Sequence, residues 1–220
     1  MRCKYDYVLF DLDGTLTQSA PGIKRCIELT LEKMGKPCPD LSDYSRYIGP
    51  PLIDTFRNLC KLSEEDAKVA FETYLKLYDT EGEPLNKLFD GTVEMLSSLR
   101  GMGAMIAVCS SKHQQSVDKV CAFLGLTECF HALCGSDGTP CRKEKEDIIP
   151  YTLGVLGAKG DYSAVMIGDT HFDARGARIA KVDFVGVSFG YGDKTLMRNE
   201  GAEVFADSME ELLTLLTDNA

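Results

Sequence analysis

The strongest constraint on this chain lies near its N-terminus, in Val8-Leu9-Phe10-Asp11-Leu12-Asp13-Gly14-Thr15. Val8, Leu9 and Phe10 form a β-branched and aromatic run that reads as a buried strand. Asp11 falls where that strand ends, and Asp13 follows two residues on. Residues i and i+2 of an extended segment point the same way, so both carboxylates can share one side of the chain as it leaves the sheet. Gly14 permits a sharp turn. Crowded carboxylates repel unless a cation intervenes, and a hard divalent ion such as Mg²⁺ takes oxygen ligands. Such a pair could neutralise a phosphate, with one carboxylate attacking phosphorus and the other handling protons. A solvated Asp-Gly turn after a strand gives the same local pattern, so the rest of the chain decides.

The remaining segments point to an interrupted α/β fold. Ile23, Ile27, Leu31 and Met34 recur at helical spacing between Pro21 and Gly35. Tyr47-Ile48-Gly49-Pro50-Pro51 opens a further helix carrying Leu52, Phe56 and Leu59, and Ser63 to Asp66 forms a capping-box pattern before another. Residues 18–84 thus read as wholly helical. From Leu88 onward strands and helices alternate: a helix near 92–100, a strand at 104–109, a helix at 113–124 and a short strand at 130–134. A helix near 146–156 follows, then strands at 164–168, 183–187 and 203–206, and a helix from Asp207 with Glu210 completing its cap. Alternation of this kind implies a doubly wound parallel sheet with helices on both faces. The expected organisation is an α/β core of residues 1–17 and 85–220, with residues 18–84 as a helical cap domain inserted after the first strand. In open α/β sheets ligands bind beyond the carboxyl ends of the strands, so the insertion would lie over Asp11 and Asp13 as a lid.

Further strand ends carry polar residues. Ile106-Ala107-Val108-Cys109 ends in Ser110-Ser111-Lys112, whose hydroxyl and backbone N–H groups suit phosphate oxygens or a plain helix N-cap. Val165-Met166-Ile167 ends in Gly168-Asp169, with Asp173 downstream, and Asp169 could reach a metal beside Asp11. Between them, Arg142-Lys143-Glu144-Lys145-Glu146-Asp147 reads as a solvated charge run from which one lysine, turned inward, would offset nucleophile and phosphate charge.

Charge and composition exclude other classes. Lys plus Arg number 24 against 34 Asp plus Glu, a net charge of −10. That disfavours nucleic acid and anionic membrane as partners. No apolar run approaches the roughly 20 residues of a membrane span and the first residues lack a signal-peptide pattern, so a cytoplasmic protein is expected. Nine cysteines, an odd number, include no Cys-x-x-Cys pair. Cys26, Cys60, Cys109 and Cys121 occupy apolar positions, as small buried hydrophobes in a reducing compartment do. Nothing in the sequence sets an oligomeric state.

Taken together, these segments resemble the haloacid dehalogenase-like (HAD) hydrolases over nearly the whole chain. Phe10-Asp11-Leu12-Asp13-Gly14-Thr15-Leu16 is similar to their first motif, Ser110 with Lys112 to the second, a lysine within 142–145 to the third, and Gly168-Asp169 with Asp173 to the fourth. Ile48-Gly49-Pro50-Pro51-Leu52 and Val185 to Gly192 resemble the phosphoglycolate phosphatase-like subgroup. The resemblance implies a Rossmann-like core and a Mg²⁺-dependent phosphatase of a small phosphorylated metabolite, phosphoglycolate first. It implies that Asp11 is the nucleophile and Asp13 the acid and base. Asp11, Asp13 (through its carbonyl) and Asp169 would hold the metal, with Asp173 supporting the metal shell. Ser110, Ser111 and the lysine would bind phosphate. Lys145 is the preferred lysine and Lys143 the alternative. Arg46, Tyr47 and Arg57 are candidates for contacting the leaving group, and Gln18 stands where many relatives carry Asp.

Other readings remain beside this one: a 5′-nucleotidase, a sugar phosphomutase of the β-phosphoglucomutase kind, and a non-catalytic binding protein on the same fold. Thr15 and the intact set Asp11, Asp13, lysine and Asp169 argue against the last two.

Overall fold

A computed structural model describes residues 2–139 and 141–218. Its centre is a six-stranded parallel sheet made of β1 (Tyr7–Phe10), β2 (Met105–His113), β3 (Ala132–Ser136), β4 (Ala164–Gly168), β5 (Asp183–Val187) and β6 (Val204–Ala206). The spatial order is β3-β2-β1-β4-β5-β6, so the chain's first long strand lies between β2 and β4. Winding changes direction there, and such a switch point opens a crevice at the carboxyl ends of the strands.

The sheet is covered on both faces, which explains why β1 is apolar without alternation. Val8 and Phe10 join one apolar cluster and Leu9 joins the other, on the opposite face, with Ile148 and Ile149. The helices of this part are α3 (Thr92–Gly101), α4 (Gln114–Phe123), α5 (Lys145–Val155), α6 (His171–Ala180), α7 (Lys194–Asn199) and α8 (Met209–Leu216), which follow α1 (Ala20–Lys33) and α2 (Glu64–Leu77) of a helical block.

Between β1 and β2 lies that helical block, with α1 (Ala20–Lys33) and α2 (Glu64–Leu77) joined by residues 34–63, an irregular stretch followed by short helical turns. Ser63 caps α2, its hydroxyl accepting from the Asp66 N–H. The segment expected to be one helix after Pro51 is instead a short helical turn, Leu52–Asp54, running into a π-turn, Thr55–Leu59. Entry and exit of the block lie side by side: Thr17–Gln18 pairs antiparallel with Lys87–Leu88, and the Gln18 amide donates to the Leu88 carbonyl. Residue 18 is therefore extended where a wholly helical segment was expected, because this pairing satisfies its backbone.

Two other local expectations differ. The last helix is capped by Ser208, not Asp207, with Ser208 accepting from the Glu211 N–H and Glu211, not Glu210, accepting from the Asp207 N–H. Strand β2 continues to His113 through a register shift between Cys109 and His113. Ser110, Ser111 and Lys112 thus lie on an irregular strand end, where bulges commonly re-aim side chains beside active sites. All nine cysteines are free thiols, and Cys26, Cys60, Cys109 and Cys121 are buried.

Candidate active site

The carboxyl ends of β1, β2 and β4 converge on Asp11, the Ser110–His113 segment and Asp169. The three elements deliver these residues to one place because the parallel pairings keep Phe10, Val108 and Ile167 in register.

Lys145 is the cation at the centre. It is the first residue of α5, whose start is fixed by the Asp147 carboxylate accepting from the Glu144 N–H. Its Nζ lies 2.7 Å from Asp11 Oδ1 and 2.6 Å from Asp173 Oδ1, and donates to the Cys109 carbonyl at 2.8 Å. Its side chain is 2% exposed. Gly176 of α6 permits the close approach: a Cβ there would collide with Lys145 Cβ. Burial works against the ammonium charge, yet Asp11 and Asp173 hold its pKa above the ordinary lysine value.

Lys143 goes elsewhere. It lies on the cavity wall and pairs with Asp54 of the helical block at 2.8 Å. Asp173 is held by Lys145 and by its own helix, where its Oδ2 accepts from the Thr170 N–H and hydroxyl. It therefore orients the lysine as well as adding a carboxylate.

Asp169 is fully buried. Its Oδ2 accepts from the Tyr191 N–H at 2.7 Å and its Oδ1 from the Thr15 hydroxyl at 3.3 Å. The Gly190-Tyr191-Gly192 segment lies against it so tightly that a Cβ on Gly192 would overlap the Asp169 carbonyl oxygen.

Asp11, Asp169 and Asp173 each bring a carboxylate oxygen within 4.8 Å of the others. One lysine pairs with two of them, Asp11 and Asp173. Burial pushes the Asp11 pKa up to about 6, with Lys145 opposing and Asp173 adding to the rise. Burial, then the Asp11 and Asp173 charges, hold Asp169 well above the usual carboxylate range. A hard, oxygen-only donor set with uncompensated negative charge fits a hard divalent cation.

Asp13 stands slightly apart. Lys112 Nζ lies 3.0 Å from its Oδ2 and also donates to the Tyr78 hydroxyl at 3.2 Å. Tyr78 belongs to the helical block, is buried, and is tied to Asn86. Lys112 falls within a motif legible in the sequence, but its partner there, and the places of Tyr78 and Asn86, are not. Their meeting depends on how the block packs over the sheet, and no local pattern carries that.

A cavity of about 260 Å³ is lined by Asp11, Asp13, Ser110, Ser111, Lys112 and residues of the helical block. Of the block residues expected near a leaving group, Tyr47 lies in the wall, with its hydroxyl turned to the Leu41 carbonyl. Arg46 and Arg57 do not belong to that wall. Both are exposed, and Arg57 pairs with Asp54 and Glu64 on the outer face. The π-turn carries Arg57 outward, where water solvates its charge.

Fold and site together define an α/β enzyme with an acidic cluster at the switch point of its sheet. Residues 8–187 match the family described as haloacid dehalogenase-like hydrolase. The chain is 33% identical over 195 residues to a 5′-nucleotidase of Pseudomonas aeruginosa, covering 89% of this chain and 88% of that protein. It is 31% identical over 202 residues to a phosphoglycolate phosphatase of Neisseria meningitidis, covering 89% and 85%. The crystal structure of a predicted phosphatase from Clostridium acetobutylicum superposes with a TM-score of 0.88 at 37% identity, over 96% of this chain and 97% of that one. The chain belongs to the haloacid dehalogenase-like hydrolases, in the phosphoglycolate phosphatase-like group, and is a hydrolase of phosphate esters. No helix among the described residues is long and apolar enough to cross a membrane.

Proposed function

We propose that the protein is a Mg²⁺-dependent phosphatase of small phosphomonoesters that works through a phosphorylated Asp11. The observation that carries this reading is Lys145 held between Asp11 and Asp173 at the mouth of β1. Lys145 engages Asp11 through Oδ1, leaving Oδ2 to attack phosphorus. As the phosphorus–oxygen bond to the leaving group breaks, Asp13 gives that oxygen a proton. Asp13 then takes a proton from the water that attacks the phosphorylated Asp11, which releases phosphate, frees the Asp11 carboxylate and returns Asp13 to its acid form. Lys112 holds Asp13 in place for both transfers. Ser110 and Ser111, which line the cavity, would bind phosphate oxygens together with Lys145.

Asp11, the Asp13 carbonyl and Asp169 would hold Mg²⁺, with Asp173 supporting the set through Lys145. Bound there, the ion supplies charge neutralisation between carboxylates and phosphate. Residues 18–84 act as the cap domain over this cavity and the core comprises 1–17 and 85–220. The enzyme works on a soluble metabolite, in the cytoplasm. Two substrates come from the relatives' names, phosphoglycolate and nucleoside 5′-monophosphates.

Phosphate release from a panel of phosphomonoesters tests the reading. Activity is expected with Mg²⁺, lost in EDTA and restored by adding the ion back. Asp11→Asn is expected to remove it while the circular dichroism spectrum stays unchanged. Full turnover in metal-free buffer would sink the metal assignment, and turnover above a few per cent in Asp11→Asn would exclude Asp11 as nucleophile.

A further inference from the structure

The cavity over Asp11 is chemically two-sided. Its floor is polar, with Asp11, Asp13, Ser110 and Ser111, while the wall supplied by the helical block is apolar and aromatic, with Ile48, Leu52, Phe71 and Leu75 among its members. The leaving group of a phosphomonoester bound at Asp11 has to lie against that wall.

Every cation in the wall among the described residues is already engaged. Lys112 is bound to Asp13 and Tyr78 with its side chain 9% exposed, and Lys143 is bound to Asp54 and Glu144. His113 meets Phe71 edge-on at 5.8 Å between ring centroids, and burial pushes its pKa below the ordinary imidazole value. Its Nδ1 is buried without a protein partner. A leaving group bearing a carboxylate would lose its water here and gain no free counter-charge, which is costly. An uncharged ring would instead pack on Phe71 and Leu75. At about 260 Å³ the cavity falls just below the roughly 300–1,000 Å³ range of drug-sized pockets, which suits one ring better than several.

We propose that the enzyme selects phosphomonoesters whose leaving group is uncharged and carries a single planar ring, and discriminates against the carboxylate-bearing phosphoglycolate. The proposal rests on the phosphatase reading above and assigns its substrate class. Phe71 and Leu75 are the residues that set it.

Thymidine 5′-monophosphate and phosphoglycolate are a suitable pair, because both release a primary alcohol and differ chiefly in what it carries. With Mg²⁺ and full-length protein, kcat/KM is expected to be at least about tenfold higher for the nucleotide, the scale of one aromatic contact in a dry pocket. Phe71→Ala is expected to reduce that ratio about tenfold, and Leu75→Lys, which puts a free cation on the wall, to reduce it by raising phosphoglycolate turnover. Leu75→Lys gains an activity, so misfolding cannot imitate the expected result. Equal or faster turnover of phosphoglycolate by the unaltered enzyme overturns the inference and leaves the phosphatase reading standing. Turnover of acetyl phosphate with neither ester hydrolysed overturns the inference alone. No phosphate from any of the three overturns both.

Discussion

Replacing Lys145 with Met would take the cation out of the acidic cluster while leaving a side chain of similar length. The ammonium lies 2.7 Å and 2.6 Å from two buried carboxylates and is itself 2% exposed. Removing one partner of a buried pair costs about 3–5 kcal/mol, because the other charge stays buried without compensation. At roughly 2–4 °C per kcal/mol for a chain of this size, Tm falls by roughly 6–20 °C. The effect depends on pH with a definite sign. Burial raises the Asp11 pKa to about 6, so its charged form is the unfavourable one in the folded state. That penalty develops between the unfolded value near 4 and about 6 and is constant above, but without Lys145 the folded pKa is higher still, so the penalty goes on growing past about 6. Lys145, with its own pKa raised by Asp11 and Asp173 against the effect of burial, stays charged throughout this window. The loss in Lys145→Met is therefore small near pH 5 and largest near pH 7.5. Thermal unfolding in metal-free buffer at both values measures it, with Lys143→Met as the comparison. Lys143 is about a third exposed at its ion pair with Asp54, and such pairs contribute only about 0–1 kcal/mol. A Tm for Lys145→Met within 2 °C of the unaltered protein at pH 7.5 would refute the electrostatic account. So would a larger loss in Lys143→Met.

Other consequences follow from neighbouring contacts. Lys112→Met is expected to lower kcat about 10- to 100-fold, no more than the low end of the roughly 10²–10⁴-fold attributed to a placed acid or base, with KM changed less than about threefold. Partial rescue by Lys112→Arg would separate positioning of Asp13 from a general loss of structure, and an equal fall in both variants would remove the positioning role. Gly192→Ala is expected to cut Mg²⁺ affinity and activity together, since a Cβ there would displace the Asp169 carbonyl. Titration of the ion by calorimetry checks this, and unchanged affinity would contradict it.

Much of the site could be read before folding, for physical reasons that differ from residue to residue. Asp11 and Asp169 each follow an apolar run that can only be a buried strand, so their positions at the sheet's end follow from local pattern. Lys143 and Lys145 could not be separated that way, since both sit in one charge run. What separates them is the start of α5, which makes Lys145 the first helical residue and turns it toward Asp11. Ser110 to Lys112 read equally as phosphate binders or as a helix cap. The register shift within β2 decides that they are strand residues. Arg46 and Arg57 looked suitable by proximity to Ile48-Gly49-Pro50-Pro51, but the turn after Asp54 is a π-turn and shifts Arg57 outward. The Lys112–Tyr78 contact joins residues 34 apart in sequence, and only the packing of the helical block on the sheet brings it about.

The central claim is that Asp11 carries the phosphoryl group between substrate and water. The most direct test mixes the enzyme and Mg²⁺ with a ³²P-labelled phosphomonoester, quenches in acid within the first turnover, and maps the labelled peptide. The account predicts label on the peptide containing Asp11, and none in Asp11→Asn. Rapid phosphate release with no labelled protein, or label that persists in Asp11→Asn, would contradict it.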